Sequence, residues 1–218
     1  GVPWPHAYGY PAMRWGQRRR SLSAEEIAAN KAAREARERA SLTCQICARG
    51  ILANNGVIAH HGYERPGQYY QTASCMGARE LPFEVSRDVL GSLIEQLKVW
   101  AKDQDELAAS VREERSPASL SYTKRDAPFV HGRYQQATFI SFTRAEFDQT
   151  KIDHPDAFRH RAHMGFDHFR DNCVRYHESQ AAIYKSDLKT QTDRFSAWKR
   201  KLTPVFVDGR FTRWASVK

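Results

Sequence analysis

The chain has 218 residues, of which 41% are hydrophobic and 27% charged, and its formal net charge is +9. This length permits a substantial core, and the composition favours an elongated, helix-rich protein over a compact β-sandwich. The absence of any run of about eighteen consecutive apolar residues excludes a membrane-spanning helix, and the first residues resemble neither a signal peptide nor a myristoylation site, so the sequence predicts a cytoplasmic protein.

The positive charge is concentrated at the two ends of the chain. Residues 1–43 carry eight basic and four acidic side chains, residues 44–150 carry twelve and thirteen, and residues 151–218 carry fourteen and eight. Basic segments around a neutral middle are typical of arms that contact a polyanion, most often nucleic acid. Solubility alone, or contact with an acidic protein, would produce the same distribution.

Residues 1–22 are predicted to form an aromatic and basic arm. Four tryptophans and tyrosines lie among three prolines whose spacing forbids a helix, and Arg18, Arg19 and Arg20 follow them. Aromatic rings that stack on bases, beside arginines that contact phosphates, suit single-stranded nucleic acid. A subunit groove, or a tail packed on its own domain, would use the same residues.

Residues 23–43 are predicted to form a helix. Ser23 and Glu26 have the spacing of a capping box, and the residues that follow are rich in alanine, glutamate and arginine. Few of its apolar residues are large, so we expect the helix to be exposed to solvent or to lie on a partner. Arg34 and Arg37 are candidate contacts with a phosphate backbone.

Residues 44–85 contain the most specific motif of the chain and are predicted to form a zinc-binding module. Cys44 and Cys47 form a C-x2-C knuckle, in which both thiolates can reach one tetrahedral ion. Asn55-Gly56, flanked by apolar pairs, predicts a tight hairpin that returns the chain to the knuckle. The remaining ligands must therefore come from the end of this segment.

Cys75 and one of two adjacent histidines are the candidates for those ligands. We favour His61 over His60 because a strand from Val57 to Tyr63 would place the two histidines on opposite faces, and Gly62 allows close backbone approach beside His61. Reduced core thiols with ordinary surface histidines are the alternative interpretation.

The predicted zinc is structural. A catalytic zinc needs an open coordination position and a carboxylate beside its bound water, for which Glu64 and Glu80 are the nearby candidates. Three cysteines and one histidine close the shell, and the H-x-E and P-C-x-x-C pattern of the zinc deaminases is absent.

The knuckle belongs to a longer pattern of residues. It comprises Cys44-x2-Cys47, His61-Gly62-Tyr63, Arg65-Pro66-Gly67, Cys75-x-Gly77 and residues 81–86. This pattern resembles a group of uncharacterised phage and prophage proteins. The resemblance implies a bound zinc, supports His61 as the ligand, and places the protein in a bacterial host cell or a phage particle. It implies no particular activity.

Residues 86–204 are predicted to form a long-helix hairpin with an intervening loop and short strands. Ser86 is the expected cap of a helix over residues 87–115, whose apolar side chains recur at three- and four-residue steps. Residues 138–142 have β-type composition and are predicted to form a small hairpin. The predicted fold class is therefore mainly α, with a small zinc-stapled β-hairpin module and long antiparallel helices.

A second long helix of about 45 residues is predicted after His154-Pro155, because an apolar stripe recurs about every 3.7 residues, near the eleven-residue repeat that keeps a stripe straight along a helix. It would end at Pro204, and a break near Gly165 or near Ser186-Asp187 is left open. Residues 205–218 form a C-terminal tail that is a candidate strand.

Two further groups of side chains are weaker candidates for metal binding. His160, His163 and Asp167 would share one face of the predicted helix, although scattered histidines on a basic helix usually face solvent. A nuclease would need clustered carboxylates, and the candidates near a helix start match no motif. Those candidates are Asp148, Asp153 and Asp156.

Together these features predict a non-catalytic zinc protein of phage or mobile-element type that associates with nucleic acid or a nucleoprotein assembly. No nucleotide-binding loop or nucleophile motif indicates an enzyme or a small-molecule substrate. The alternatives are a structural or inhibitory subunit that docks on a phage or host protein complex and, less favoured, a metal-dependent nuclease. The candidate nucleic-acid contacts are Arg18, Arg19, Arg20, Arg34, Arg37, Lys199, Arg200 and Lys201.

Overall fold

The structure is a computed structural model that describes residues 21–63, 73–124, 129–130, 134–135 and 137–217. The helices are α1 (Ala24–Arg39), α2 (Asp88–Arg112), α3 (Phe147–Asp153), α4 (Pro155–Phe158) and α5 (Phe166–Ser196). The strands are β1 (Ser41–Thr43), β2 (Gly50–Leu52), β3 (Ala118–Thr123), β4 (Phe129–Val130), β5 (Tyr134–Gln135), β6 (Ala137–Phe142), β7 (Leu202–Val207) and β8 (Arg210–Ser216).

The predicted fold class, mainly α with one zinc-stapled hairpin module, is wrong. The described residues contain five helices together with four two-stranded sheets, β1–β2, β3–β6, β4–β5 and β7–β8. These strands are two to seven residues long. Alternation over so few residues is a weak signal beside the helical periodicity of the longer segments, so strand content was underestimated.

The chain divides into two compact units, Gly1–Ser41 and Leu42–Lys218. In the first unit, α1 begins with the predicted capping box: Ser23 Oγ accepts a hydrogen bond from the Glu26 N–H at 3.2 Å, and Glu26 Oε2 accepts one from the Ser23 N–H at 2.7 Å. No residue of α1 is buried. The aromatic arm with its three arginines lies outside the described residues.

The second unit is organised around α2 and α5, which pack antiparallel. Gly91 near the start of α2 faces the ring of Phe195 near the end of α5, and a Cβ at Gly91 would lie 3.2 Å from that ring. Arg112 at the end of α2 forms an ion pair with Glu178 in the first half of α5. The α2 side chains that are buried follow the predicted three- and four-residue steps: Leu90, Leu93, Ile94, Leu97, Ala101, Ala108 and Val111.

The single helix of about 45 residues predicted after His154-Pro155 is wrong, because a short helix, a turn and a longer helix take its place. The rings of Phe158 and Phe169 are 5.3 Å apart, whereas a continuous helix would separate positions eleven residues apart by about 16 Å along its axis. Burial of both rings in one core therefore requires the break, which falls at Gly165, one of the two positions where the sequence leaves a break open. The predicted end at Pro204 is wrong, because α5 ends at Ser196 and Pro204 lies in β7.

The end of the helix pair where α5 begins has an aromatic core, and we call it the phenylalanine end. Five phenylalanine rings contact one another there with centroid distances of 5.3 to 6.3 Å. The β3–β6 sheet covers them with Ala118, Leu120 and Ile140. The five rings belong to Phe142, Phe147, Phe158, Phe166 and Phe169.

The opposite end, where α2 begins and α5 ends, packs against residues 42–63, residues 73–86 and the β7–β8 hairpin, and we call it the metal end. Trp214 Nε1 of β8 donates a hydrogen bond to the Ala53 carbonyl at 3.2 Å. Phe211 packs so closely on Gly56 that a Cβ there would lie 3.0 Å from its ring. Asp208 and Gly209, both with positive φ, form the turn of this hairpin.

Candidate metal centre

The first two predicted ligands lie in the turn between β1 and β2. The Ala48 N–H donates to the Cys44 carbonyl at 3.1 Å, and the Cys44 N–H donates to the Arg49 carbonyl at 2.9 Å. Ala48 adopts a left-handed conformation, with φ of 60°, that reverses the chain directly after Cys47. This closed turn brings the two thiols together.

The other two predicted ligands are joined by an antiparallel bridge between Gly62 and Ser74. The Cys75 N–H donates to the His61 carbonyl at 3.0 Å, so backbone pairing sets the distance between these two residues. A further bond, from the Ala59 N–H to the Leu52 carbonyl at 2.8 Å, ties this segment to β2. Residues far apart in the sequence are thus held against the first knuckle.

Cys44, Cys47, His61 and Cys75 converge, with all four ligand atoms within 4.8 Å of one another. The Sγ atoms of Cys44 and Cys75 are 3.8 Å apart, and Cys47 Sγ lies 3.5 Å from His61 Nε2. A tetrahedral ion with metal–sulfur bonds of about 2.3 Å and a metal–nitrogen bond of about 2.0 Å requires edges of about 3.8 Å and 3.5 Å. The four residues therefore fit a metal ion.

Hydrogen bonding orients the His61 ring toward the three sulfurs. Its Nδ1 lies 2.8 Å from the Ala59 carbonyl oxygen, which can only accept, so Nδ1 carries the proton and Nε2 presents its lone pair to the cluster. His60 lies outside the cluster, with Nε2 3.0 Å from Ser74 Oγ. The structure thus distinguishes the two adjacent histidines.

The cluster is enclosed by the protein. The three cysteines are at most 3% exposed. At Gly77, two residues after Cys75, a Cβ would lie 2.5 Å from Cys44 Sγ, so any larger residue would collide with a ligand. This close approach gives a physical reason for the Cys-x-Gly step in the sequence.

Crowding of the three thiols shifts their acidity in opposite directions. Hydrogen bonds from Cys44 and Cys75, together with Arg49, lower the pKa of Cys47 far below its ordinary value. The pKa of Cys75 is raised, mainly by its hydrogen bonds to Cys44 and Cys47, and that of Cys44 is raised mainly by Cys47. One thiolate forms readily, and a divalent cation would supply the charge that stabilises all three.

Two arginines beside the cluster were not predicted from the sequence. Arg49 Nε donates to Cys47 Sγ at 3.4 Å. Arg194 of α5 donates to the Ile46 carbonyl at 3.3 Å, and burial lowers its pKa while the charges of the Cys44 and Cys47 thiolates oppose that shift. A divalent ion with three thiolates has a net charge of about −1, which these guanidinium groups offset. The position of Arg49, two residues after the knuckle, is the only sequence signal.

Gln45, between the first two cysteines, connects the cluster to α2. Its side chain is almost fully buried; Nε2 donates to the Leu81 carbonyl at 2.7 Å, and Oε1 accepts from the N–H groups of Val89 and Leu90 at 3.1 and 3.2 Å. Ser86, the predicted cap, accepts only from the Asp88 N–H at 3.0 Å. Part of the N-terminal capping of α2 is therefore supplied from within the knuckle.

The arrangement has the chemistry of a closed structural site. Glu80 is not in the cluster, and the Glu84 carboxylate accepts hydrogen bonds from the Thr43 N–H at 3.0 Å and hydroxyl at 2.6 Å. Glu64 lies outside the described residues. Within the part of the chain that the structure describes, the cluster has four protein ligands and no further carboxylate, which suits a structural ion.

The weaker metal candidates do not converge in the described part of the chain, where only the cluster of three cysteines and His61 is suited to a metal. The predicted face of His160, His163 and Asp167 is wrong because the turn before α5 separates the histidines from the helix, and Asp167 pairs with Arg144 at 2.6 Å. Asp148, Asp153 and Asp156, the acidic residues near α3 and α4, likewise form no metal-binding group with the other described residues.

The candidate nucleic-acid contacts fall in three places. Arg18, Arg19 and Arg20 lie outside the described residues. In the first unit, Arg34 pairs with Glu38 at 2.8 Å and Arg37 is exposed. Between α5 and β7 lies an exposed run of three basic residues, Lys199, Arg200 and Lys201, and the sequence analysis missed two more exposed arginines on β8, Arg210 and Arg213.

Comparison with known proteins supplies no relative: no family model, no curated protein and no solved structure matches the chain. The resemblance to phage and prophage zinc-motif proteins therefore stays a prediction. Among the helices of the described residues, none combines the length and apolar character needed to cross a membrane.

Proposed function

We propose that the protein is a non-catalytic zinc protein that binds nucleic acid, and that the metal centre holds a basic surface in position. The ligand set supports zinc as the metal. Three thiolates and one imidazole in a closed tetrahedral shell are typical of structural zinc sites. The cluster joins the β1–β2 turn to the segments around His61 and Cys75, so a bound ion would cross-link these segments within the core that Ile46, Ala53 and Ile58 form with α2.

The observation that carries the proposed partner is a set of exposed basic side chains without ion pairs along the β7–β8 hairpin and the segment before it, here called the basic surface. Its residues are exposed, and none forms an ion pair with a described residue. In residues 197–217 the only acidic side chain is Asp208, against five basic ones. The basic surface comprises Lys199, Arg200, Lys201, Arg210 and Arg213.

The charges of the long helices behave differently. Lys185 of α5 pairs with Asp105 of α2 at 2.7 Å, and Arg112 of α2 pairs with Glu178 of α5. Those cations are neutralised within the protein, whereas the basic surface has no acidic partner among the described residues. Cations left free at the surface can contact phosphates and release counterions, which supplies much of nucleic-acid affinity.

The metal end holds the basic surface through hydrogen bonds. The N–H groups of Lys201 and Leu202 donate to the Glu84 carbonyl at 2.8 and 3.0 Å, and Arg200 Nε donates to the Val85 carbonyl at 3.1 Å. Glu84 and Val85 lie nine and ten residues after the ligand Cys75. Removing the ion should therefore disturb the basic surface as well as the ligands.

Salt-dependent binding tests the proposal. Fluorescence anisotropy with a labelled single-stranded DNA or RNA oligonucleotide should show binding at 50 mM salt that weakens about 50-fold at 200 mM, as expected for about four phosphate contacts. The double variant Arg210→Ala/Arg213→Ala should weaken binding and reduce the salt dependence, while the matched variant Lys98→Ala/Lys102→Ala, on an exposed face of α2, should change neither.

No measurable binding to DNA or RNA at 50 mM salt would overturn the proposal. A complex captured from cells that survives nuclease treatment would instead favour the docking of the chain on a protein assembly. A salt-independent affinity would also contradict it, because phosphate contacts cannot be independent of salt.

A further inference from the structure

A cleft of about 390 Å³ opens beside the basic surface, between the first knuckle, residues 83–84 and the end of α5. This volume lies within the range of sites that hold small molecules or single nucleotides. Its walls are aromatic and cationic, with Phe83, Arg194, Trp198, Lys199 and Lys201 among them. The metal centre and the role proposed above leave this cleft unexplained.

The aromatic side of the cleft is fixed in orientation. Trp198 is half-buried, its Nε1 donates a hydrogen bond to the Phe83 carbonyl, and the Arg87 guanidinium lies 5.2 Å from its ring. The Arg194 guanidinium lies 4.8 Å from the Phe83 ring. Indole rings and guanidinium planes both stack on nucleobases, and a ring that is already fixed loses little entropy when a base binds.

The cationic side of the cleft lacks a matching anion. Glu84 is the acidic residue of the lining, and its carboxylate is occupied by the backbone and hydroxyl of Thr43. Neither Lys199 nor Lys201 forms an ion pair with a described residue. Arg194 Nη2 is buried and has no hydrogen-bond partner in the described part of the chain, although buried donors are normally satisfied.

We propose that this cleft binds one nucleotide of a single-stranded nucleic acid, with the base against Trp198 and the phosphates near Lys199 and Lys201. The inference rests on the proposed function and makes it specific, because a base must be unstacked from its neighbours to reach an aromatic wall. A duplex presents its phosphates to the basic surface but not its base faces. Single strands should therefore bind more tightly than duplexes of equal length.

Photochemical cross-linking tests the inference without altering the protein. The zinc-loaded full chain is mixed with a single-stranded oligothymidylate containing 5-iododeoxyuridine, irradiated and mapped by peptide mass spectrometry. Cross-links at Trp198 or Phe83 are expected, since this base reacts with aromatic rings on which it stacks. Phe206 of β7, which is 55% exposed, serves as the internal comparison.

A pair of matched variants adds an affinity measurement. Lys199→Ala/Lys201→Ala should weaken binding of the single strand at least tenfold, and Lys98→Ala/Lys102→Ala, with the same loss of charge elsewhere, should stay within twofold. An unlabelled duplex should compete at least tenfold more weakly than the single strand. Zinc content and circular dichroism establish that each variant is folded.

The outcomes separate the two proposals. Cross-links at Phe206 alone, or equal affinity for duplex and single strand, would refute nucleotide binding in the cleft. Neither result would contradict nucleic-acid binding by the basic surface. Failure of every oligonucleotide to bind would overturn both. Single-strand preference with cross-links at Trp198 would support both.

Discussion

The two ends of the α2–α5 pair are stabilised by different chemistry. At the phenylalanine end five interlocking aromatic rings exclude water, with Phe142 and Phe169 at most 2% exposed. At the metal end the knuckle turns, the β1–β2 sheet and the bridged segment around His61 are short, and their common feature is the cluster of three cysteines and one histidine. Both ends bury apolar side chains, but at the metal end the three cysteines are themselves part of the core, beside Ile46, Ile58 and the start of α2, so we expect that end to depend on an ion as well.

This contrast places the residues of the proposed function and the aromatic core at opposite ends of the helix pair. The basic surface and its cleft lie at the metal end, where backbone segments are irregular and held by specific contacts. The phenylalanine end has its exposed cations largely in ion pairs, such as Arg144 with Glu114 and Asp167. Substitutions that destabilise only one end of the helix pair test whether the two ends are independent.

The largest effect should follow from removing a metal ligand. Cys75→Ser or His61→Ala should release the ion and unfold the metal end, because metal binding in such modules is worth about 10 kcal/mol or more of folding free energy. His60→Ala, which loses only the contact with Ser74, should retain the ion. Metal analysis gives the stoichiometry, and hydrogen exchange should show loss of protection in residues 50–62 but not in β3, β6 or the first half of α5.

Retention of the metal by His61→Ala with loss from His60→Ala would contradict the geometry described above. Uniform loss of protection in all variants would show that the two ends fold as one unit.

A core truncation should damage the opposite end. Phe142 is fully buried and contacts four other phenylalanines, so Phe142→Ala should lower the free energy of unfolding by about 3 to 5 kcal/mol. Phe139→Ala, on the same strand but 76% exposed, is the matched control and should change it by at most about 0.5 kcal/mol. Denaturant unfolding of the zinc-loaded chain measures both. Loss of zinc from Phe142→Ala would refute the independence of the two ends.

Gln45 provides an intermediate test because it links the metal end to the first turn of α2. Gln45→Ala leaves the Leu81 carbonyl and the N–H groups of Val89 and Leu90 without their partner, which should cost about 2 to 3 kcal/mol. Gln45→Met, which fills the space but makes no hydrogen bond, should be nearly as destabilising. A neutral Gln45→Met would mean that packing, and not capping, explains the burial of this side chain.

The smallest effect concerns pH at the phenylalanine end. Hydrogen bonding from Arg144, and then from Arg170, lowers the pKa of Glu114 to about 2. Because the folded pKa lies below the ordinary value, the contribution of Glu114 to stability is present above about pH 4.5 and is lost as the pH falls towards 2. In thermal unfolding, Glu114→Gln should therefore differ from the natural chain at pH 6, and the difference should shrink below pH 4.5 and vanish only as the pH falls to about 2. A constant difference would contradict this assignment.

Local patterns in the sequence predicted the candidate site better than the fold. The C-x2-C spacing and the Cys75 and His61 positions are short-range signals, and the four residues that they indicate converge in the structure. The predicted strand from Val57 to Tyr63 is wrong, because these residues form no strand beyond an isolated bridge at Gly62, so the choice of His61 was correct although the alternation behind it was not. The three- and four-residue steps of α2 likewise predicted its buried stripe. The metal ligands lie close to one another in sequence, and in α2 the helical repeat determines which side chains share a face.

Long-range packing determined what the sequence did not predict. A single straight helix after His154-Pro155 agreed with the apolar stripe in the sequence. The burial of Phe158 and Phe169 in one core nevertheless requires a break in that helix. The position of Arg194 beside the cysteines depends on a helix almost 150 residues further along the chain, for which no local pattern exists. The turn of the β7–β8 hairpin has a local signal in Asp208-Gly209, and the segment predicted as a tail with a candidate strand contains β8, the second strand of this hairpin.

The central claim is that a metal ion bound by three sulfurs and one nitrogen holds the metal end together. X-ray absorption spectroscopy at the zinc edge of the purified chain tests it most directly. We predict one zinc per chain, with three sulfur ligands at about 2.3 Å and one nitrogen ligand at about 2.0 Å. Absence of stoichiometric metal, or a shell with two or fewer sulfurs and an oxygen in their place, would contradict the account.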